Sequence, residues 1–282
     1  MATQLNAICN DAYLIAHQED TTRLRQTLEQ QGFTVHVVRS AYTAAQQRLA
    51  TSERVLINHT RAWQAIAASG RHGVVMEADF VPVRNFGRLP LPVPADRVSS
   101  SLAYLYSVGI ELWDLCDPPA CMRGHAGGMV AYAVSEGVAA TLLQFSAEHQ
   151  RHNPSGHYSC WDADLGYWLK QRGTESYLPF RQYGEHGGIG NPEHAAAGLR
   201  ATDHADALAG PLSFLPAYAD GSTFRFLTTR FRARTWAWGR LLCGRTLNWY
   251  NLRRSKPLAM ATFAVGRLLT PPRLQHLNLN GS

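Results

Sequence analysis

The stretch Val74-Val-Met-Glu-Ala-Asp-Phe80 decides how we interpret this chain. Its apolar residues have the composition of a buried strand, which ends in two carboxylates one residue apart, Glu77 and Asp79. Alternate side chains of a strand lie on the same face, so both carboxylates are expected to point the same way where the strand ends. Two converging oxygen ligands suit a divalent cation that also binds a diphosphate. The alternative interpretation is a strand followed by a polar turn, with Asp79 as a capping residue.

Strand and helix patterns alternate along the chain on both sides of this stretch. Further strands are predicted at residues 33–38, 101–107 and 129–134. Helices are predicted at residues 20–32, 42–50, 53–69, 136–149 and 162–171, with Ser135 and Asp162 as candidate N-caps of the last two. Strands that alternate with helices build a layered sheet, so the sequence predicts an α/β fold.

Composition excludes several classes of protein. The chain has 282 residues, enough for one large α/β domain or two small ones. Its hydrophobic content of 45% argues against wholesale disorder. No run of about 18 apolar residues occurs, so no membrane-spanning helix is expected. The first residues lack the pattern of a secretory signal, and the five scattered cysteines include no C-x-x-C pair. We therefore expect reduced thiols, no structural zinc and a cytoplasmic protein.

Charge is distributed unevenly along the chain. Residues 221–282 contain 11 Lys and Arg and no Asp or Glu, which leaves 16 basic against 21 acidic side chains in residues 1–220. Phe and Trp residues lie among the arginines of this tail. We predict a body at residues 1–210 and a mostly helical, basic, aromatic-rich extension at residues 211–282. The extension is expected to dock peripherally on the inner, anionic face of the cytoplasmic membrane, unless its aromatics form the core of a helical subdomain.

Several motifs occur in an order that matches a known family. The segment Ile57-Asn-His59 and Trp63 precede the acidic strand, Gly127–Ser135 leads into a helix, and Trp161-Asp-Ala-Asp164 begins another. In order and spacing, residues 5–185 resemble glycosyltransferase family 25, the lipopolysaccharide-biosynthesis glycosyltransferases. The acidic strand corresponds to the family's Glu-Asp-Asp strand, with Ala78 in place of the middle acid. Asn58 stands where the family has a serine.

The resemblance implies a fold and an activity. It implies a GT-A-like nucleotide-sugar-binding fold over residues 1–210. The implied activity is transfer of a sugar from a nucleotide-sugar donor to a glycan or lipid-linked acceptor in cell-surface polysaccharide or lipopolysaccharide biosynthesis. Inverting transfer needs charge stabilisation on the departing diphosphate and a base for the acceptor hydroxyl.

A metal site is expected around Asp79. Asp79 is the first candidate ligand for Mn²⁺ or Mg²⁺, and Glu77 is expected to bind the donor ribose or a metal-bound water. GT-A sites often add a late histidine, for which the glycine-rich stretch 183–194 offers His186 and His194. In the alternative interpretation this stretch is a flexible surface loop whose histidines face solvent. Ala78 leaves the metal requirement open.

The general base is expected to be Asp162 or Asp164, with Glu185 as the next candidate. His59 and His125 are candidate donor-binding residues. Each has a plainer alternative: Asp162 as a helix cap, His59 as a buried core residue and His125 as a turn residue. Arg61 could pair with phosphate or lie on a solvated helix face.

Two other functions compete with sugar transfer. The basic aromatic tail could bind nucleic acid, because arginines contact phosphates and aromatic rings stack on bases. No nucleic-acid-binding motif accompanies it, and the body is acidic, so no nucleic-acid partner is expected. A third interpretation is a non-catalytic partner in envelope assembly.

Overall fold

A computed structural model describes residues 3–116, 121–188, 193, 196, 198, 204–242 and 253–268. Within these residues, eight strands form one mixed sheet, two further strands form a ribbon, and eight α-helices accompany them. The predicted α/β class is confirmed. None of the described helices is both long enough and apolar enough to span a membrane.

The strands and helices have the following bounds. The sheet contains β1 (Asp11–Ala16), β2 (Thr34–Arg39), β3 (Gly73–Glu77), β5 (Ser101–Tyr104), β6 (Glu111–Leu115), β7 (Cys121–His125), β8 (Ala131–Val134) and β9 (Glu175–Pro179). The ribbon contains β4 (Phe80–Pro82) and β10 (Gly184–His186). The helices are α1 (Leu5–Ile8), α2 (Thr22–Gln30), α3 (Ala44–Gln47), α4 (Thr51–Ser69), α5 (Glu136–His152), α6 (Trp161–Gln171), α7 (Thr223–Leu242) and α8 (Pro257–Leu268).

The sheet has the strand order β2-β1-β3-β8-β5-β9-β7-β6. Strands β2, β1 and β3 are parallel neighbours connected through helices, whereas β8, β7 and β6 run antiparallel to their neighbours. The parallel portion is compatible with a Rossmann-like fold, in which ligands bind at the carboxyl ends of the strands. In this portion the carboxyl ends of β1 and β3 are followed by His17 and by the Ala78-Asp79 turn.

Strand β3 is buried on both faces, and its alternating side chains pack into two separate hydrophobic clusters. Val75 packs in a cluster with Trp63 and Ile66 of α4 and with residues of α5 and α6. Val74 and Met76 pack in the opposite cluster, with residues of α2 and the ribbon. Because side chains alternate along a strand, Glu77 shares the face of Val75 and is directed toward α4.

The structure corrects several predicted boundaries. Strand β3 ends at Glu77, and Asp79 lies in the turn before β4, so the prediction that one strand carries both carboxylates is wrong. The predicted cap of α5 is confirmed, because the Ser135 side chain accepts from the backbone N–H of Val138. The predicted cap of α6 is wrong: Cys160 is the N-cap residue, and Asp162 lies in the first turn.

Strands β1, β6, β7 and β9 are missing from the sequence prediction. Strand β1 reads Asp-Ala-Tyr-Leu-Ile-Ala, with one β-branched residue, and β7 reads Cys-Met-Arg-Gly-His, with none. Such sequences carry little local preference for a strand. Their conformation is set by pairing with neighbours, β1 between β2 and β3 and β7 between β6 and β9.

The basic extension contributes two described helices, α7 and α8, to the fold. Residues before them are tied to the body, since Leu208 and Leu212 form bridges with Gln182 and Val83. Helix α8 packs Phe263 into the cluster under α5 and α6. Lys256, the residue before the helix, donates its backbone N–H to the carbonyl of Leu112 in the edge strand β6. The division of the chain near residue 210 stays a prediction.

Replacing Gly70 by alanine is expected to destabilise the protein by about 1 kcal/mol. Gly70 ends α4 with φ of 66°, a left-handed conformation that strains residues with a Cβ. Gly239→Ala in α7 is a matched control, because an added Cβ meets no atom within 4 Å at either position and only Gly70 has positive φ. The control should be neutral or stabilising by up to about 1 kcal/mol. Urea denaturation measures both, and equal effects would contradict the assigned role of Gly70.

Candidate metal and donor site

Three side chains converge where β3 ends. One ligand atom each from Glu77, Asp79 and His186 lie within 4.8 Å of one another. Glu77 is the last residue of β3, Asp79 follows in the turn, and His186 ends β10. The carboxylates and the imidazole are all partly buried. A set of two carboxylates and one imidazole is chemically suited to a divalent cation.

The ribbon brings His186 to the carboxylates. Strand β10 pairs antiparallel with β4, with His186 opposite Phe80, and the backbone N–H of Gly187 donates to the Asp79 carbonyl at 2.9 Å. His186 Nε2 consequently lies 3.0 Å from Asp79 Oδ2. The interpretation of His186 as a solvent-facing loop residue is wrong, because it lies in a paired strand and contacts Asp79. His194 lies outside the described residues.

Electrostatics at His186 favour a cation. Burial disfavours the charged imidazole, but the Asp79 carboxylate, with smaller contributions from Glu77 and Glu185, outweighs it and raises the His186 pKa to about 9. The local field therefore stabilises a positive charge between Asp79 and His186. A divalent ion bound by His186 would take the place of this proton, because only the neutral imidazole is a metal ligand.

Two glycines allow the backbone to approach Asp79 closely. A Cβ on Gly188 would lie 2.0 Å from Asp79 Oδ2, and one on Gly187 would lie 2.8 Å from the Asp79 carbonyl oxygen. Among the described residues, Asp79 Oδ1 is buried and has no hydrogen-bond partner. A buried carboxylate oxygen without a partner is costly. This oxygen fits a metal ligand, so the residues present suit the predicted Mn²⁺ or Mg²⁺.

His59 lies beneath this cluster in a chain of buried polar groups. Trp63 Nε1 donates to the Tyr132 hydroxyl at 2.7 Å, and the same hydroxyl lies 2.8 Å from His59 Nδ1. Burial raises the Tyr132 pKa, so the hydroxyl keeps its proton. When Tyr132 donates to Nδ1, the His59 ring proton is on Nε2, which lies 3.6 Å from Glu77 Oε1. His59 is therefore both a buried core residue and a neighbour of Glu77.

Asn58 connects the carboxyl ends of two parallel strands. Its side chain accepts from Ser40 Oγ, just after β2, and donates to the carbonyl of Ala16 at the end of β1. The residue that replaces the family's serine thus has a structural contact of its own. Beyond these ends, the rings of His17 and Tyr42 lie 5.0 Å apart.

The two candidate bases have different environments. Asp162 is partly buried, whereas Asp164 is exposed. Burial, with repulsion from Glu77 and Asp164, raises the Asp162 pKa to about 7, although the backbone N–H of Ala163 donates to its carboxylate at 2.9 Å. A carboxyl group that titrates near neutral pH is suited to general base catalysis. Of the two, Asp162 is the one coupled electrostatically, through Glu77, to the group formed by Glu77, Asp79 and His186.

His125 belongs to a different cluster. It ends β7, so the interpretation as a turn residue is wrong. Its ring packs against those of Trp113 and Tyr167, and α6 approaches so closely at Gly166 that a Cβ there would lie 1.8 Å from His125 Nδ1. Burial lowers the His125 pKa to about 4. These contacts describe a packing role, and donor binding by His125 stays a prediction without a contact to support it.

Glu185, the reserve candidate for the base, is completely buried. Its carboxylate accepts from the backbone N–H of Ala205 at 2.9 Å and pairs with Arg230 of α7 and with His204. Both oxygens are engaged in these contacts, so Glu185 fastens α7 to β10 and does not face the metal cluster as a free base.

No protein-family model matches the chain, and the search of curated proteins finds no match.

Tyr132 is the site residue that sequence reasoning missed. It lies in the predicted strand at residues 129–134 and within the segment that carries the family resemblance. Its period-two spacing from Val134 places these two side chains on the same face of the strand. Nothing in the local sequence indicated that its hydroxyl connects Trp63 to His59, since these residues are 69 and 73 positions away.

Asp162→Asn is expected to change how stability depends on pH. The folded protein holds a proton on Asp162 up to about pH 7, whereas the unfolded chain loses it near pH 4. The contribution of Asp162 to wild-type stability should therefore fall as pH rises from about 4 to about 7, and the asparagine variant should lack this loss. Across this pH range we expect the free energy of unfolding of the variant to increase by at least about 1 kcal/mol relative to that of the wild type.

Urea denaturation of both proteins at several pH values, with a chelator present, measures the difference. Asp164→Asn is the matched control: it removes the small repulsion from Asp164 but leaves burial, the main cause of the raised Asp162 pKa, so most of the pH dependence should remain. A constant difference between the Asp162 variant and wild type would show that Asp162 is ionised throughout.

Proposed function

We propose that this protein is a metal-dependent, inverting glycosyltransferase with a GT-A-like fold, which uses a nucleotide-sugar donor. The proposal rests on one observation: Glu77, Asp79 and His186 meet within 4.8 Å at the carboxyl end of a parallel strand, with Asp79 Oδ1 buried and unpartnered among the described residues. Ligands of open α/β sheets bind at this edge. The motifs that resemble glycosyltransferase family 25 contribute Glu77, Asp79, His59 and Asp162 to this region.

The ligand set favours Mn²⁺ over Mg²⁺. Mg²⁺ prefers an all-oxygen shell and keeps most of its waters, whereas Mn²⁺ accepts an imidazole nitrogen beside carboxylates. Asp79 and His186 would hold the ion, and Glu77 would bind it directly or through water. When bound, the ion supplies positive charge that stabilises the diphosphate leaving group.

The carboxyl ends of β1 and β2 offer the place for the nucleoside. The chain leaves β1 toward α2, which packs on one face of the sheet, and leaves β2 toward α4, which packs on the other. Divergent connections of this kind open a crevice between the two strands. Arg39 supports its wall by donating to the carbonyls of His17 and Glu19 at 3.0 and 2.7 Å. A nucleoside in this crevice would extend its diphosphate toward Glu77 and Asp79.

Asp162 is the proposed general base. It accepts the proton of the acceptor hydroxyl while the new bond forms to the sugar's anomeric carbon and the bond to the diphosphate breaks. Its pKa of about 7 allows it to be ionised before the reaction and protonated after it near neutral pH. His59 positions Glu77 from beneath, on the side away from solvent.

Asp79→Asn is expected to weaken Mn²⁺ binding on the order of 100-fold, because the unpartnered carboxylate oxygen loses its charge. Gly188→Ala should weaken it on the order of tenfold, because the new Cβ displaces Asp79 without removing a ligand. Isothermal titration with Mn²⁺, supported by the paramagnetic signal of free Mn²⁺, measures both.

Asp96→Asn serves as the control, since Asp96 is 76% exposed and pairs with Arg97 on the surface. Circular dichroism verifies that each variant is folded. Wild-type Mn²⁺ affinity in Asp79→Asn would refute the metal site.

Donor binding is tested by thermal unfolding with UDP-, GDP- and CMP-sugars, each with and without Mn²⁺. One donor class should stabilise the protein in the presence of the ion, by about 2.7 kcal/mol at 100 times its dissociation constant. Asp162→Asn should then lower the transfer rate on the order of 100-fold with unchanged donor affinity, while Asp164→Asn stays close to wild type. No response to any nucleotide sugar, with salt-sensitive binding of RNA or DNA instead, would favour the nucleic-acid interpretation.

A further inference from the structure

We propose that the outward face of α7 docks this protein on an anionic membrane surface. The inference comes from the shape and charge of the extension and does not depend on the transfer reaction. It concerns a face of α7 next to the one that contacts the body.

Helix α7 exposes a stripe of large apolar side chains. Phe224, Leu227, Phe231 and Leu242 are exposed by 76%, 57%, 75% and 84%. At 100° per residue, these four positions fall within a sector of roughly 60° on the helix surface. Single exposed apolar residues are common on protein surfaces. A continuous stripe of them along one helix face marks an interaction surface.

The adjacent face of α7 is fixed to the body, which keeps the stripe exposed. Phe226 packs against the core cluster that contains the ribbon, and Ala237 is buried. Arg230 pairs with the buried carboxylate of Glu185, and Arg234 donates to the Leu268 carbonyl at 3.1 Å. These contacts show that Arg230 and Arg234 serve the fold, so not every arginine of the extension is free to face a membrane.

Basic side chains lie along one edge of the stripe. Arg225 and Arg232 are exposed on this edge, beside the 59% exposed Trp236. Arg253 and Lys256 are exposed just before α8, where Lys256 pairs with Asp114. Helix α8 adds two exposed apolar residues one heptad apart, Leu258 and Val265, at 69% and 50%. The whole extension from residue 221 has 11 basic residues and no acidic one. An apolar helix face with basic flanks is the composition of helices that lie in the headgroup plane.

Charge complementarity selects a lipid surface over a second copy of the chain. A symmetric dimer through α7 would bring the arginines of the two copies together, and the nearest carboxylate, Asp220, already pairs with Arg225 of its own chain. Anionic headgroups would pair with exposed cations such as Arg232 while the stripe enters the acyl boundary. Each basic residue close to such a surface strengthens binding about fivefold.

Docking also sets the position of the candidate site. Arg230 holds α7 to Glu185, the residue next to His186 on β10. If the proposed function holds, the metal cluster is kept at a constant distance from the surface, where a lipid-linked acceptor would be presented.

Co-sedimentation of the full chain with phosphatidylcholine vesicles, with and without phosphatidylglycerol, tests the proposal. We expect binding only to the anionic vesicles. Phe224→Ser with Phe231→Ser should weaken binding at least about tenfold, and Arg225→Gln with Arg232→Gln should weaken it by a similar factor and reduce its salt dependence. The control, Arg25→Gln with Arg48→Gln, removes two exposed arginines from the body and should leave binding unchanged.

Circular dichroism of each variant verifies that the body is folded, so loss of docking is distinguished from unfolding whether or not the chain binds Mn²⁺. The proposal is overturned if the chain binds neutral vesicles equally well, if it binds neither kind, or if the body variant loses as much as the α7 variants. It is also overturned if the wild type is a dimer that the Phe224 and Phe231 substitutions dissociate, because a second copy then covers the stripe.

Discussion

The hydrogen-bond chain from Trp63 through Tyr132 to His59 is the constraint on which the site depends. Both α4 residues are completely buried, and Tyr132 lies on β8, the antiparallel neighbour of β3. Leaving any of these buried polar groups unpartnered costs about 1–3 kcal/mol, so helix and sheet are held in one relative register. That register places His59 under Glu77 at the end of β3. The position of the Glu77 carboxylate therefore follows from packing deep in the core.

Strand β10 performs two tasks because its side chains alternate. His186 faces Asp79 across the ribbon, and Glu185, one residue earlier, points into the body and pairs with Arg230. Breaking a buried ion pair by removing one partner typically costs about 3–5 kcal/mol. The same three-residue strand thus supplies a metal-ligand candidate and fastens the basic extension. Changes in α7 are coupled mechanically to the position of His186 through this strand.

Local patterns were sufficient for some elements and insufficient for others. The helix α4 is predictable because its apolar spacing ends at Gly70, which has the left-handed conformation that helix termini favour. The acidic strand is predictable because Val74, Val75 and Met76 are an apolar run bounded by polar residues. Strands such as β1 and β7 were not predicted, because their residues have a weak strand preference. They adopt the strand conformation only between partner strands that are distant in the chain.

The amino-acid sequence by itself determined the α/β class, the acidic pair Glu77 and Asp79, and the charge break near residue 220, since each is written in consecutive residues. Only the tertiary structure decided which late histidine joins the carboxylates and which of two neighbouring aspartates is buried. It also decided which arginines of the extension face solvent. These properties depend on contacts between residues far apart in the chain: His186 reaches Asp79 across 107 positions, and Arg230 reaches Glu185 across 45. Pairings of this kind arise when the ribbon and the helices pack, and no local spacing specifies them.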